Sequence, residues 1–472
     1  MTRSVLFTAA RWHRRPVPLV VTTALVALTI SGAVTALRPP EASAATLANT
    51  PHYSLPLALQ ESLYFYDAEK SGAARSLGHQ PLEWRGDSEV ADAAVPLKPI
   101  ANWVGTNLSA SFIAANRSVL DPDGNGTVDL SGGFHDAGDH VKFGLPQAYS
   151  AGTIGWGMVE FKDAFVATGT WAHAIEEMRW FTDYFLRSTF TDATGKLVAF
   201  NYQVGDGSVD HAYWGPPELQ DPVTYPRPAY FATAEAPASD QTASHAAALA
   251  IMYLLVRDSD PAYAKRCLDA ARALYTFSLA HRGLGYSGGF YGSAFDEDEM
   301  AWGAVWLYLA TAERSYLNDI VSVDATGAYT GYLAKLVGNA TNTWQNIWVH
   351  SWETKWGGVF SMLDPAIIGD LTLPEKTRTD IHFFNKWHTE YWTQVPHDDL
   401  NSTTFLVGSP GGFQYLNGWG SARYNTAAQL EALAYRKHFP TDPKSVKFTD
   451  WAMGQMNYIM GDNPLHRSYI VG

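Results

Sequence analysis

The sequence predicts an all-α fold, a helical toroid whose long loops form an open cleft. Three observations carry this. Segments with apolar residues at helical spacing recur along most of the chain. No alternating strand–helix rhythm runs between them, which excludes a doubly wound sheet. The loops between them are long and collect Gly, Pro, Trp, Asp, Glu and His, as in a cleft built on a rigid helical frame.

At the start, Arg3, Arg11, Arg14 and Arg15 accompany an apolar stretch from Val17 to about Leu37, followed by the small-x-small site Ala42-Ser43-Ala44. Residues 1–44 are read as a secretion signal cleaved after Ala44, so the mature protein is expected to be extracellular and free of the membrane. An uncleaved anchor is the rival, because the apolar stretch is nearly long enough to span. Residues 45–52 form a short tail, and 53–472 a single domain with no linker inside it.

Leu57, Ala58, Leu63, Tyr64 and Tyr66 predict a first helix that Gly72 ends. Residues 72–135 read as loops. Helices are then expected over 148–165, 171–190, 242–257, 261–281, 299–316, 329–347, 423–436 and 445–460. Short strands are expected near 196–203 and 402–407.

Bulk composition narrows the function. The chain is 46% hydrophobic and 17% charged, so a packed core outweighs the ordering entropy and disorder is excluded. A net charge of −14 argues against a nucleic-acid partner, which needs clustered Lys and Arg. The 17 Trp and 24 Tyr suit stacking on the flat C–H faces of sugars, although any single Trp is better read as core. The one cysteine, Cys267, lies in a helical pattern and reads as a buried structural thiol.

The densest chemistry is Asp129-Leu130-Ser131-Gly132-Gly133-Phe134-His135-Asp136-Ala137-Gly138-Asp139-His140-Val141-Lys142-Phe143. Small residues between Asp136 and Asp139 allow a tight turn and close approach of a ligand. Two neighbouring carboxylates push their pKa values apart and can take different roles. They are too close to stand on opposite sides of a glycosidic bond, but they could share one water. On spacing alone a turn or a helix cap is the better reading of the run.

The wider run, through Gly144 and Pro146, resembles the active-site signature of glycoside hydrolase family 9, the endoglucanases of cellulase family E. Further motifs in order resemble the same family: Glu61–Ala68, Trp84-Arg85-Gly86-Asp87-Ser88, Val204–Gly207 with Asp210-His211 and Trp214-Gly215-Pro216, Pro410-Gly411-Gly412, Trp419–Tyr424, and Gly461–Pro464 with Ser468–Gly472. The resemblance implies an (α/α)6 barrel over 53–472 and inverting hydrolysis of β-1,4-glucan, with Asp139 as general base and Asp136 positioning the water. An ordinary Asp is already ionised at neutral pH, as a base must be. His211, Trp214, Trp419, Arg423 and Tyr424 would bind sugar, although plain packing is the better reading of Tyr424. A monomer acting on a β-glucan polysaccharide is expected.

Asp296-Glu297-Asp298-Glu299 resembles the family's calcium segment, with Asp298 and Glu299 as side-chain ligands and Glu353 at a position that gives a backbone carbonyl. An acidic helix N-terminus is the alternative. No organic cofactor is expected. Asp121-Pro122-Asp123-Gly124-Asn125-Gly126-Thr127-Val128-Asp129 has the first half of an EF-hand loop, but Gly132 stands where Glu is wanted, so it reads as a plain loop. The stretch between Trp84 and Asp121 is longer than the family's usual connection.

The family's Pro-His-His-Arg stretch and its Asp-x-x-x-Asn-Glu general-acid segment have no counterpart in this sequence, and Glu218, Glu235 and Glu390 sit in no matching context. An incomplete reading of a longer endoglucanase is the expectation. A non-catalytic glucan-binding relative, and an exo-acting glucosidase or glucosaminidase on the same barrel, stay open.

Overall fold

In the computed structural model, residues 54–337, 349–393, 407–415 and 420–470 are described. The expected signal, the tail and Trp419 lie outside them. The chain divides into two compact units, Met1–Thr50 and Pro51–Gly472, and every described residue belongs to the second.

Eleven helices of eight residues or more dominate the described residues: α1 Leu55–Glu69, α2 Gly144–Glu160, α3 Trp171–Arg187, α4 Ser239–Val256, α5 Pro261–Ala280, α6 Glu297–Thr311, α7 Arg314–Val321, α8 Trp356–Ile367, α9 Glu375–Thr393, α10 Ser421–His438 and α11 Ser445–Met460. Local chemistry sets their ends. Ser54 caps α1 through Leu57 N–H at 3.3 Å, and Asp260 caps α5 through Tyr263 N–H at 3.2 Å with Pro261 as its first residue. Successive helices pack as neighbours, α4 against α2, α5 and α6, and α10 against α9 and α11. Helix α4 is buried all round from Ser239 to Met252, as a helix at the centre of the frame must be. Among the described residues no helix is long and apolar enough to cross a membrane.

Trp156, Trp302, Trp306, Trp356 and Trp392 are fully buried, so much of the tryptophan content is core. Cys267 is buried in α5, and burial pushes its thiol up to about 12.

Strands are few. β1 (Val95–Pro96) pairs with β2 (Thr127–Val128). β3 (Thr189–Thr191), β4 (Leu197–Val204) and β5 (Ala229–Ala232) form an antiparallel sheet, and β4 coincides with the strand expected near 196–203. The helix expected over 299–316 is two helices, because Ala312 takes a left-handed φ of 60°. The pattern at 148–165 begins earlier, at Gly144, and breaks at Phe161. Helices α8 and α9 are additions to the sequence reading. The expected helix 329–347 is represented by Ala334–Val337, and most of the strand expected at 402–407 lies outside the described residues.

Candidate active site

The loop from β2 into α2 carries Asp136 and Asp139, and contacts on both sides fix it. Gly133 has a φ of +77°, and a Cβ there would come within 2.8 Å of Tyr184, so only glycine fits. Its carbonyl accepts from Trp180 Nε1 at 3.0 Å and Ser71 N–H at 2.9 Å. Phe134 stacks on Phe181, with centroids 3.8 Å apart. The far end is held by Lys142. Its N–H donates to Val204 O on β4 at 2.9 Å, and its buried ammonium pairs with Asp92 at 2.8 Å. It also donates to Leu130 O and Gly132 O at 2.6 and 3.1 Å. Gly144 then enters α2 where a Cβ would meet Gln241 Oε1 and Tyr202 O at 2.3 and 2.5 Å.

Between these anchors the loop turns tightly. Ala137 has a φ of 53°, a left-handed conformation that a non-glycine residue adopts at a cost. Asp136 N–H donates to Val141 O at 3.1 Å, and Asp139 N–H to Asp136 O at 3.2 Å. Val141 N–H donates to Asp139 Oδ1 at 2.9 Å. The outer oxygen, Asp139 Oδ2, lies 2.9 Å from His211 Nε2. Asp136 Oδ2 accepts from the Tyr291 hydroxyl.

Burial raises the Asp136 carboxyl to about 6. Burial, followed by the neighbouring Asp136 charge, raises Asp139 to about 7. Both lie above the ordinary Asp value that the sequence-based expectation assumed, because the folded chain partly desolvates the half-buried pair. Glu69, at the end of α1, is a third carboxyl of the cluster. Burial pushes it to about 8, against the lowering influence of Arg85. A cavity of about 160 Å³ lies here, lined by Glu69, Asp136 and the aromatic residues Phe65, Tyr66, Phe134 and Phe143. A groove of about 800 Å³ beside Asp183, Arg187 and Arg266 shares no lining residue with it.

The remaining candidates divide. The Tyr291 ring meets Trp352 edge-on at 5.0 Å, and the Arg423 guanidinium lies 5.3 Å from the Trp352 ring centre. Tyr424 is buried among Val349, Trp392, Ala427 and Ala428, and its hydroxyl donates to Glu353 Oε1. Asp136, Tyr291, Trp352, Arg423 and Tyr424 thus form one connected chain of contacts. Trp214 stands 96% exposed on the loop after Asp210. Glu218 receives Arg85 and Gly86 N–H, Glu235 receives Ser109, and Glu390 pairs with Lys444 at 2.7 Å, so each has a structural partner. Sequence reasoning missed Glu69, Tyr291 and Trp352. The Gly288-Gly289-Phe290-Tyr291-Gly292 run was the available signal for Tyr291.

Among the described residues, Asp67, His173 and Glu177 also converge closely enough to suggest a metal. Lys70 pairs with Asp67 and Glu177 at 2.7 Å each, and His173 with Asp67 at 2.6 Å, which makes this an ion-pair network instead.

The profile of Glycosyl hydrolase family 9 matches residues 56–472. Endoglucanase A of Bacillus pumilus is 32% identical over 425 residues, covering 88% of this chain and 54% of its own length. Endoglucanase B of Cellulomonas fimi is 33% identical over 439 residues, covering 90% and 35%. The chain therefore spans about half or less of these relatives. The catalytic domain of Clostridium thermocellum CelT superposes with a TM-score of 0.75 at 41% identity, covering 88% of this chain and 81% of that one. The cellulase Cel9M of C. cellulolyticum, solved in complex with cellobiose, gives 0.65 at 32% identity over 88% and 80%. The helical architecture is accordingly an (α/α)6 barrel, and the chain belongs to glycosyl hydrolase family 9.

Proposed function

We propose that the protein hydrolyses internal β-1,4-glucosidic bonds of cellulose or a related β-glucan with inversion. The observation that carries this is the half-buried pair Asp136 and Asp139, with Asp139 2.9 Å from His211 and Asp136 held by the Tyr291 hydroxyl, on a loop anchored at both ends. Asp139, once ionised, takes a proton from a water that Asp136 orients. Its raised pKa makes it a stronger base than an ordinary carboxylate. Burial raises the Glu69 carboxyl to about 8, which favours its protonated form and limits the negative charge beside the pair. His211, Trp214, Trp419 and Arg423 are proposed to hold the sugar chain, and the buried Tyr424, bonded to Arg423 and Glu353, to position Arg423. The proton donor to the leaving oxygen is assigned to no residue of this sequence.

A calcium ion fits the residues at the start of α6. Asp298 and Glu299 are fully buried, and Asp298 Oδ1 with both Glu299 carboxylate oxygens has no hydrogen-bond partner. Burial raises both carboxyls, and the nearby Lys355 offsets only part of the charge. Asp298 Oδ2 accepts Lys355 N–H at 2.7 Å, which ties the site to the turn containing Glu353. The Glu353 side chain faces Tyr424, leaving only its backbone available as a ligand. A bound calcium would supply positive charge that stabilises this buried cluster. The basic residues and apolar stretch within 1–44 support export.

Reducing-end release from carboxymethylcellulose, with the configuration of the first product read by NMR, tests the reading. Inverted product supports it. Retained configuration overturns it, as does binding of cello-oligosaccharide without any release by the chain extended with its natural downstream sequence, which is the behaviour of a binding-only relative.

A further inference from the structure

The segment Asp121–Asp129 enters β2 just ahead of the loop that carries Asp136. From sequence it reads as a plain turn, but one group in it has no place in a plain turn. The Asp121 side chain is fully buried. Its Oδ2 accepts from Arg117 at 2.6 Å and from Gly126 N–H at 3.1 Å, so the carboxylate sits inside the loop. Its Oδ1 is buried and has no hydrogen-bond partner. Leaving a buried carboxylate oxygen unpaired is costly, and a cation removes that cost.

The other oxygens of the loop follow at every second position. Asp123 and Asn125 are exposed and bond only to residues within the loop. Thr127 pairs with Pro96 across β1 and β2, and proline has no N–H to give the Thr127 carbonyl. Gly126, with a φ of +81°, makes the sharp turn at the sixth position. Asp129, in the ninth, is exposed. Carboxylate, amide and carbonyl oxygens alternating about a central glycine suit an oxygen-preferring divalent cation with six to eight ligands. The twelfth position is Gly132, so water must replace the usual bidentate carboxylate and binding will be weak.

We propose that residues 121–129 bind one calcium ion, separate from Asp298 and Glu299, through Asp121 Oδ1, Asp123, Asn125 and the Thr127 carbonyl, with Asp129 acting through water. The ion tethers a segment already joined to the catalytic loop. Leu97 N–H donates to Gly126 O at 2.9 Å, and the Lys142 ammonium holds Leu130 O.

The test is equilibrium dialysis of the chelator-treated full chain against calcium chloride, with bound metal counted per chain. Asp123→Ala with Asn125→Ala removes two exposed ligands. Asp121→Asn keeps the shape and removes the buried charge, and Glu299→Gln disables the α6 cluster. Both loop variants should bind one ion fewer than the parent in calcium on the order of 10⁻⁴–10⁻³ M. The melting temperature of Asp123→Ala with Asn125→Ala in chelator should be unchanged, and Glu299→Gln should keep the loop's ion. Parental stoichiometry in the two loop variants overturns the proposal, as does a parent chain that binds no ion Glu299→Gln leaves in place.

Discussion

His211 Nε2 lies 2.9 Å from Asp139 Oδ2, joining residues 72 positions apart. This hydrogen bond lowers the Asp139 pKa, against burial and the Asp136 charge, which raise it to about 7. His211→Ala should therefore push Asp139 higher still, and less of the base is ionised at any pH below the new value. The acid limb of kcat/KM on a soluble cello-oligosaccharide should move to higher pH, with more activity lost at pH 6 than at pH 8. Loss of a sugar contact alone would lower activity evenly across pH and leave the limb in place.

Tyr291 plays the corresponding part for Asp136. Its ring is held by Phe143 at 4.9 Å and Trp352 at 5.0 Å, so Tyr291→Phe should leave the packing intact. The lost hydroxyl lowers the Asp136 pKa in the parent, so Asp136 should rise above about 6. A hydrogen bond to a charged group contributes about 1.5–3 kcal/mol, which corresponds to a fall in kcat of roughly ten- to a hundredfold. KM should change little. A variant with parental kcat would show that Asp136 does not depend on this hydroxyl.

The same burial makes the site unstable at high pH. The folded Asp139 carboxyl is raised from 3.8 to about 7, so between those values the unfolded chain has lost a proton that the folded chain keeps. Stability from this group is complete below the lower value and is lost as pH rises through the upper one. Asp139→Asn should be more stable than the parent at pH 8, by on the order of a few kcal/mol, and nearly equal to it at pH 4. The same variant should lose activity by about 10²- to 10⁴-fold. Melting curves at the two pH values check the first statement, and an equal difference at both would contradict it.

The frame was legible where helices carry clean apolar spacing, as in α3, α5 and α11. It was hidden in α8, which opens with Trp356-Gly357-Gly358 and contains Pro365, residues that normally break helices. Helix α9 was hidden by its polar composition, Glu375-Lys376-Thr377-Arg378-Thr379-Asp380 at its start. Asp136 and Asp139 were legible because the pair and its glycines are contiguous. Glu69, Tyr291 and Trp352 come from three distant segments, and only folding brings them to the pair or its neighbours. The upward shift of the pair was not legible for the same reason, because a sequence does not show how far folding desolvates a carboxylate.

The buried carboxylates of α6 give the remaining prediction. Asp298 and Glu299 lie side by side with three unpartnered oxygens and one nearby cation, Lys355, whose own ammonium is engaged by Ser351 O and Trp352 O at 2.8 and 2.7 Å. Without a divalent ion, such a cluster can only lower its energy by holding protons, which is why both carboxyls are raised. Removing calcium with a chelator should therefore lower the melting temperature at pH 8 more than at pH 5, since at the lower pH protons can substitute for the ion. Glu299→Gln removes one charge and should reduce the chelator effect while raising stability in chelator at pH 8. Differential scanning calorimetry of parent and variant, with and without chelator, measures both. A melting temperature of the parent that does not respond to calcium at pH 8 would rule the ion out at this site, and leave the cluster as a pair of neutral acids.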